Sequence, residues 1–122
     1  MGSSIIRRAV LGAALASGLV AGAAAQEVRN YAVQGTNADG SAYAGSLALI
    51  RDGAASYRVR WVVSGSTIDG VAMSAGNILS AAYVLNGKVG LAIYQIMPDG
   101  RLSGQWTLQG ARGVGTETLI PR

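Results

Sequence analysis

The chain has no histidine, no cysteine and no phenylalanine, and only two prolines. Each absence narrows the reading. Without histidine it lacks the commonest general base and the commonest metal ligand. Without cysteine it has no disulfide to staple a small exported domain and no attachment point for a bacterial lipoprotein anchor. Without phenylalanine, five tyrosines and two tryptophans must supply the large rings of any core. Pro98 falls in a turn and Pro121 at the end of a strand, where a sheet loses no ladder bond. Sustained helical periodicity is also missing after residue 26, because glycine interrupts every run.

The first 25 residues read as an export leader. Arg7 and Arg8 form a positive start, Ala9 to Gly22 an apolar stretch, and Ala23-Ala24-Ala25 a small-residue cleavage signal before Gln26. The apolar stretch is short and rich in Gly and Ala, so it predicts a cleaved leader rather than a spanning helix. The Arg pair followed by Leu11 is compatible with either the general or the twin-arginine export route. Residues 26–122 are then one domain, periplasmic or secreted. That segment carries eight bases against six acids, a formal balance of +2. Its basic residues are scattered, with only Arg58 and Arg60 close together, which is no footprint for nucleic acid.

What the chain does have is a regular beat of turns. Asp39-Gly40, Asp52-Gly53, Ser64-Gly65, Gly76-Asn77, Asn86-Gly87, Asp99-Gly100 and Gly110 to Gly113 recur roughly every 11 to 13 residues, the spacing of a small all-β domain. They divide the chain into eight strands: Glu27 to Gln34, Ala42 to Arg51, Ser56 to Ser64, Ser66 to Ser74, Ile78 to Leu85, Lys88 to Met97, Arg101 to Gln109 and Gly115 to Ile120. Two alternate cleanly. Tyr57, Val59, Trp61 and Val63 oppose Arg58 and Arg60; Leu102, Gly104, Trp106 and Leu108 oppose Arg101, Ser103, Gln105 and Thr107. Asp69-Gly70 interrupts the fourth strand and reads as a bulge or a second turn. The strands over 78–97 are apolar on both faces.

Hairpin-length links leave no room for Greek-key crossovers, and an open meander would expose two edges. The expected fold is therefore an eight-stranded antiparallel up-and-down β-barrel, preferred to a β-sandwich as the alternative. Glycines 45, 70, 90 and 104 fall inside strands, where they mark the bends of a tight barrel. The strands are too short to cross a bilayer and still turn, and the outward face of 101–109 is polar, so no membrane span is expected in the mature chain.

Tyr31, Tyr43, Tyr57, Trp61 and Trp106 are the candidate lining of one interior, either as a ligand wall or as core. Glu117 shares the inward parity of Leu119 and would need a partner; Arg29, on a strand adjacent to it in a closed barrel, is the candidate. Tyr83 and Tyr94 are expected on the opposite face, in an exposed patch with Ala81, Leu85, Ala92 and Ile96. Asp39, Asp52 and Asp99 are read as caps of local turn backbone. No metal or cofactor constellation is readable.

The strings Tyr43-x-Gly45-x-Leu47, Tyr57-x-Val59-x-Trp61, Asp99-Gly100-x-Leu102-x-Gly104-x-Trp106 and Gly115-Thr116-Glu117-x-Leu119 resemble a group of small exported bacterial proteins, some labelled fibronectin-binding protein. The label implies adhesion to a host matrix protein and implies no catalytic residues. Gly104-Gln105-Trp106 is also similar to the Trp-bearing strands of avidin-like and lipocalin-like barrels, a likeness of fold alone. The leading expectation is a non-enzymatic binding module of the cell envelope, holding a small apolar or aromatic ligand inside or a protein partner outside. The alternative is an adhesion or structural protein that acts through its surface and self-association as a homo-oligomer. An enzyme using Glu117 with a turn aspartate ranks third.

Overall fold

The computed structural model describes residues 27–122; the expected leader over 1–25 and its cleavage point before Gln26 lie outside the described residues. Eight strands form in chain order: β1 (Val28–Thr36), β2 (Ala42–Arg51), β3 (Ser56–Val63), β4 (Ser66–Ala75), β5 (Ile78–Leu85), β6 (Lys88–Ile96), β7 (Leu102–Leu108) and β8 (Gly115–Pro121). Each pairs antiparallel with the next, and β8 pairs back onto β1 from Thr36↔Thr116 to Tyr31↔Pro121. The sheet is a closed up-and-down barrel, as the turn spacing predicts, and it has no free edge. No helix among the described residues is long and apolar enough to cross a membrane.

The turns are built from the residues the sequence puts there. Ser64-Gly65 and Asn86-Gly87 both hold positive φ at two successive positions, the conformation of the tightest two-residue hairpins. The β1–β2 and β6–β7 links share one design. Asn37 N–H donates to Ser41 O and Met97 N–H to Arg101 O, while Asp39 and Asp99 accept from the backbone N–H two residues on. Asp52 differs from expectation: its carboxylate accepts the Ser56 hydroxyl rather than backbone.

β4 runs unbroken, which corrects the reading of Asp69-Gly70 as a bulge or turn. Asp69 stands directly opposite Arg60 and takes its guanidinium at 2.7 Å on the outer face. Gly70 is needed for closeness: a Cβ there would stand 2.2 Å from the Ala82 carbonyl oxygen of β5. Gly45 meets the Val62 carbonyl and Gly104 the Ile93 carbonyl at the same distance. These strand glycines let the backbones of a narrow, strongly coiled sheet approach one another.

Alternation divides inside from outside around the whole barrel. The end that carries the β2–β3, β4–β5 and β6–β7 links is filled by a packed core that includes Tyr31, Leu49, Val59, Leu79, Leu102 and Leu119. Tyr83 and Tyr94 correct the expected face: both turn inward, Tyr94 with 2% of its surface exposed, and Ala81 and Ala92 are buried with them. The exposed apolar face of these strands is the opposite set. Val71, Met73, Val84, Val89, Leu91 and Ile93 are each more than half exposed across β4, β5 and β6, with Ala82 between Val71 and Leu91 and Ser80 between Met73 and Ile93.

Candidate functional site

The other end of the barrel is hollow. A cavity of about 160 Å³ opens between the turns, with Asn37 and Ser64 at its rim. Tyr43, Trp61, Tyr83, Tyr94 and Trp106 wall it, and Glu117 lies among them. Of the six residues singled out from the sequence, Tyr43, Trp61, Trp106 and Glu117 meet here. Tyr31 belongs to the filled core instead, and Tyr57 lies near the closed end with the Arg51 guanidinium 5.0 Å above its ring. Tyr83 and Tyr94 complete the wall and were not among the six.

Register explains how the rings reach the site. Across five adjacent strands, Tyr43, Gly35, Glu117, Gly104 and Tyr94 stand in one row. Each tyrosine leans over the glycine between it and β8. A Cβ on Gly35 would meet the Tyr43 ring at 2.0 Å, and one on Gly104 would meet the Tyr94 ring at 2.5 Å. The two hydroxyls thus arrive at Glu117 from either side. Tyr43 Oη donates to Oε1 at 2.7 Å and Tyr94 Oη to Oε2 at 2.5 Å. From across the barrel, Trp61 Nε1 donates to Oε2 at 3.1 Å. The device recurs twice nearby. Tyr83 crosses Gly90 to donate to the Thr107 carbonyl at 3.2 Å, and the Trp106 indole covers Gly115. A side chain larger than glycine at any of these four positions would push a ring off the wall.

Glu117 is 5% exposed, and among the described residues no ion pair includes it. Its partner is therefore a cage of neutral donors, not Arg29. The stagger of β8 against β1 puts Glu117 opposite Gly35, and Arg29 lies about 20 Å back along the strand, at ~3.3 Å per residue. Arg29 pairs instead with Glu27 at 3.0 Å, and Glu27 also takes Arg51 at 2.8 Å. A carboxylate can accept about four hydrogen bonds. Three are filled, which leaves one acceptor position on Oε1.

Burial, then the nearby carboxylate charge, pushes the Tyr83 hydroxyl up to about 12 and raises those of Tyr43 and Tyr94 further, so all three remain donors. The sign of the pH dependence follows. The unfolded chain releases these protons near 10.0 and the barrel holds them longer. The stability they contribute is complete below pH 10 and is lost as pH rises toward the folded values. In an alkaline titration, tyrosinate absorbance from these three rings should rise together with the loss of near-ultraviolet circular dichroism. Their ionisation near pH 10 in an intact barrel would show that the cage is open to water.

Trp106 Nε1 is buried and completes no hydrogen bond, although the Tyr43 hydroxyl lies near enough for the indole N–H to act on it and the two rings stand edge-on with centroids 6.2 Å apart. An indole N–H can only donate, and a buried donor without an acceptor is uncommon in folded proteins. The cavity thus holds one carboxylate oxygen with room to accept and one N–H without a completed hydrogen bond, among rings and aliphatic carbon, with the polar side chains of Asn37 and Ser64 at the rim. No protein-family model and no curated protein matches the chain.

Proposed function

We propose that this protein is a non-enzymatic carrier or receptor for one small molecule of the bacterial cell envelope, bound in the open half of the barrel. The observation that carries this reading is the contrast between the two halves of one interior. One is packed solid, and the other is a void lined by five rings around a buried carboxylate. Small-molecule sites have this composition, with apolar and aromatic walls and a few fixed polar groups. The volume is close to the ~150 Å³ of an engineered protein cavity known to take benzene, which sets the guest at roughly six to ten non-hydrogen atoms. Trp61 and Trp106 report directly on occupancy. Titration with a guest of that size, phenol for example, should quench their fluorescence and raise the melting temperature. Ala92→Leu, which fills part of the void from β6, should abolish both effects and leave the barrel folded. A wild-type barrel indifferent to every guest in this size range would overturn the reading.

A second reading is supported by the outer face of β4 to β6, where Val71, Met73, Val84, Val89, Leu91 and Ile93 form a contiguous apolar surface. Patches of this kind mark self-association or adhesion surfaces. In that reading two copies pack these faces together. Sedimentation velocity separates the possibilities: a concentration-dependent dimer that Leu91→Glu abolishes supports it, and a monomer at all concentrations removes it.

A further inference from the structure

We propose that the guest of the cavity is a small organic ammonium ion that carries a hydroxyl or carbonyl oxygen. The inference rests on the ligand-binding reading above and deepens it. Three features of the site point the same way. The first is charge. The lining contains one acid and no lysine or arginine, so an anionic guest meets repulsion and a cation meets the only formal charge present. Glu117 has no cationic partner among the described residues, although buried carboxylates are usually paired. Its donors hold it in place but leave it uncompensated, with an open acceptor position on Oε1.

The second feature is the wall itself. Tyr43, Tyr83, Tyr94, Trp61 and Trp106 converge on one small volume, and several aromatic rings around a pocket form the recognised cage for quaternary and methylated ammonium groups. Apolar guests need volume and contact, which aliphatic residues supply equally well, as Leu49, Val59, Leu79, Leu102 and Leu119 do around Tyr31 in the filled half of this barrel. Concentrating the rings at the carboxylate favours positive charge in particular. The third feature is the idle Trp106 N–H. A guest oxygen placed there would satisfy the buried donor without disturbing the cage, and this selects an ammonium ion with an oxygen substituent over a bare alkylammonium.

The proposal separates from its parent reading in one titration series on the purified protein. The probes are choline, its neutral carbon isostere dimethylbutanol, tetramethylammonium, and phenol, each followed by tryptophan fluorescence and calorimetry at fixed ionic strength. Choline should bind most tightly. Dimethylbutanol, with the same shape and no charge, should bind roughly thirtyfold more weakly, the loss expected of a desolvated cation–π contact. Tetramethylammonium, which lacks the hydroxyl, should be weaker than choline by about fivefold. Equal or tighter binding of dimethylbutanol would overturn the ammonium proposal while leaving a ligand-binding barrel in place. Failure of all four probes would overturn both.

Discussion

Glu117→Ala should lower the melting temperature by on the order of 20 °C, the largest effect of any single substitution in this barrel. The deletion removes the acceptor from Tyr43, Trp61 and Tyr94 together and leaves two buried donors and one half-buried donor facing a void. Each unsatisfied buried group costs about 1–3 kcal/mol, partly relieved if water enters through the open end. A net loss of roughly 3–5 kcal/mol is a large share of the 5–15 kcal/mol typical of a domain. For a domain of this size each kcal/mol moves the midpoint by about 4–8 °C. Glu117→Gln should be much milder, about 1–2 kcal/mol. Its carbonyl oxygen can take the Oε2 position and receive Trp61, which can only donate, and Tyr94. Its amide then faces the Tyr43 hydroxyl, which can turn and accept. Thermal denaturation of the two variants tests this ordering. Equal midpoints would mean that the cage does not depend on an acceptor at its centre.

Gly104→Ala should be the second most damaging change, at roughly 3 kcal/mol or more. Its added methyl would stand 2.2 Å from the Ile93 carbonyl oxygen and 2.5 Å from the Tyr94 ring. Backbone cannot swing aside, so β6 and β7 must part or Tyr94 must lift and release Glu117. Gly90→Ala provides the control. There the nearest atoms to the methyl are the far end of the Tyr83 side chain, which can rotate at the expense of its bond to Thr107. Its cost should be about 1 kcal/mol. A denaturation midpoint for Gly90→Ala as low as that of Gly104→Ala, or lower, would show that ring displacement, not strand spacing, limits the barrel.

These two sites also show what can be read from a single sequence and what cannot. The strands were legible because Asp-Gly, Asn-Gly or Ser-Gly steps mark five of the seven links and Gly76-Asn77 and Gly110 to Gly113 the other two, and every observed boundary falls within two residues of the one these turns imply. The serial order was legible because hairpin links permit only serial pairing, and closure because an open meander would leave two edges exposed. The inward turn of Glu117 follows from its parity with Leu119. Its partners were hidden, because parity says which face a residue occupies and not how far along the barrel axis it sits. That depth depends on the stagger between strands, which carried Glu117 to Gly35 instead of Arg29 and left Tyr31 in the packed half. Tyr83 and Tyr94 were hidden for another reason. Val84, Val89, Leu91 and Ile93 make the outside of β5 and β6 apolar as well, so alternation there had no sign. A signal was present in the glycines. Gly90 and Gly104 stand opposite Tyr83 and Tyr94 once the hairpins are folded, and each bare position needs a ring from its neighbour to cover it.

The pairing of β8 with β1 has a practical consequence. Glu27 and Arg122 both lie at the sealed base: Glu27 O accepts from Arg51 N–H beside the β2–β3 link, and Arg122 N–H donates to Asn30 O. The entrance is at the far pole, among Asn37, Ser64 and Leu85. A tether, fusion partner or solid support joined just before Glu27 or just after Arg122 therefore leaves the mouth pointing away from the attachment. A short peptide splicing 122 to 27, with new ends cut at Ser64-Gly65, would give a circular permutant that keeps all eight ladders but carries its handles at the entrance.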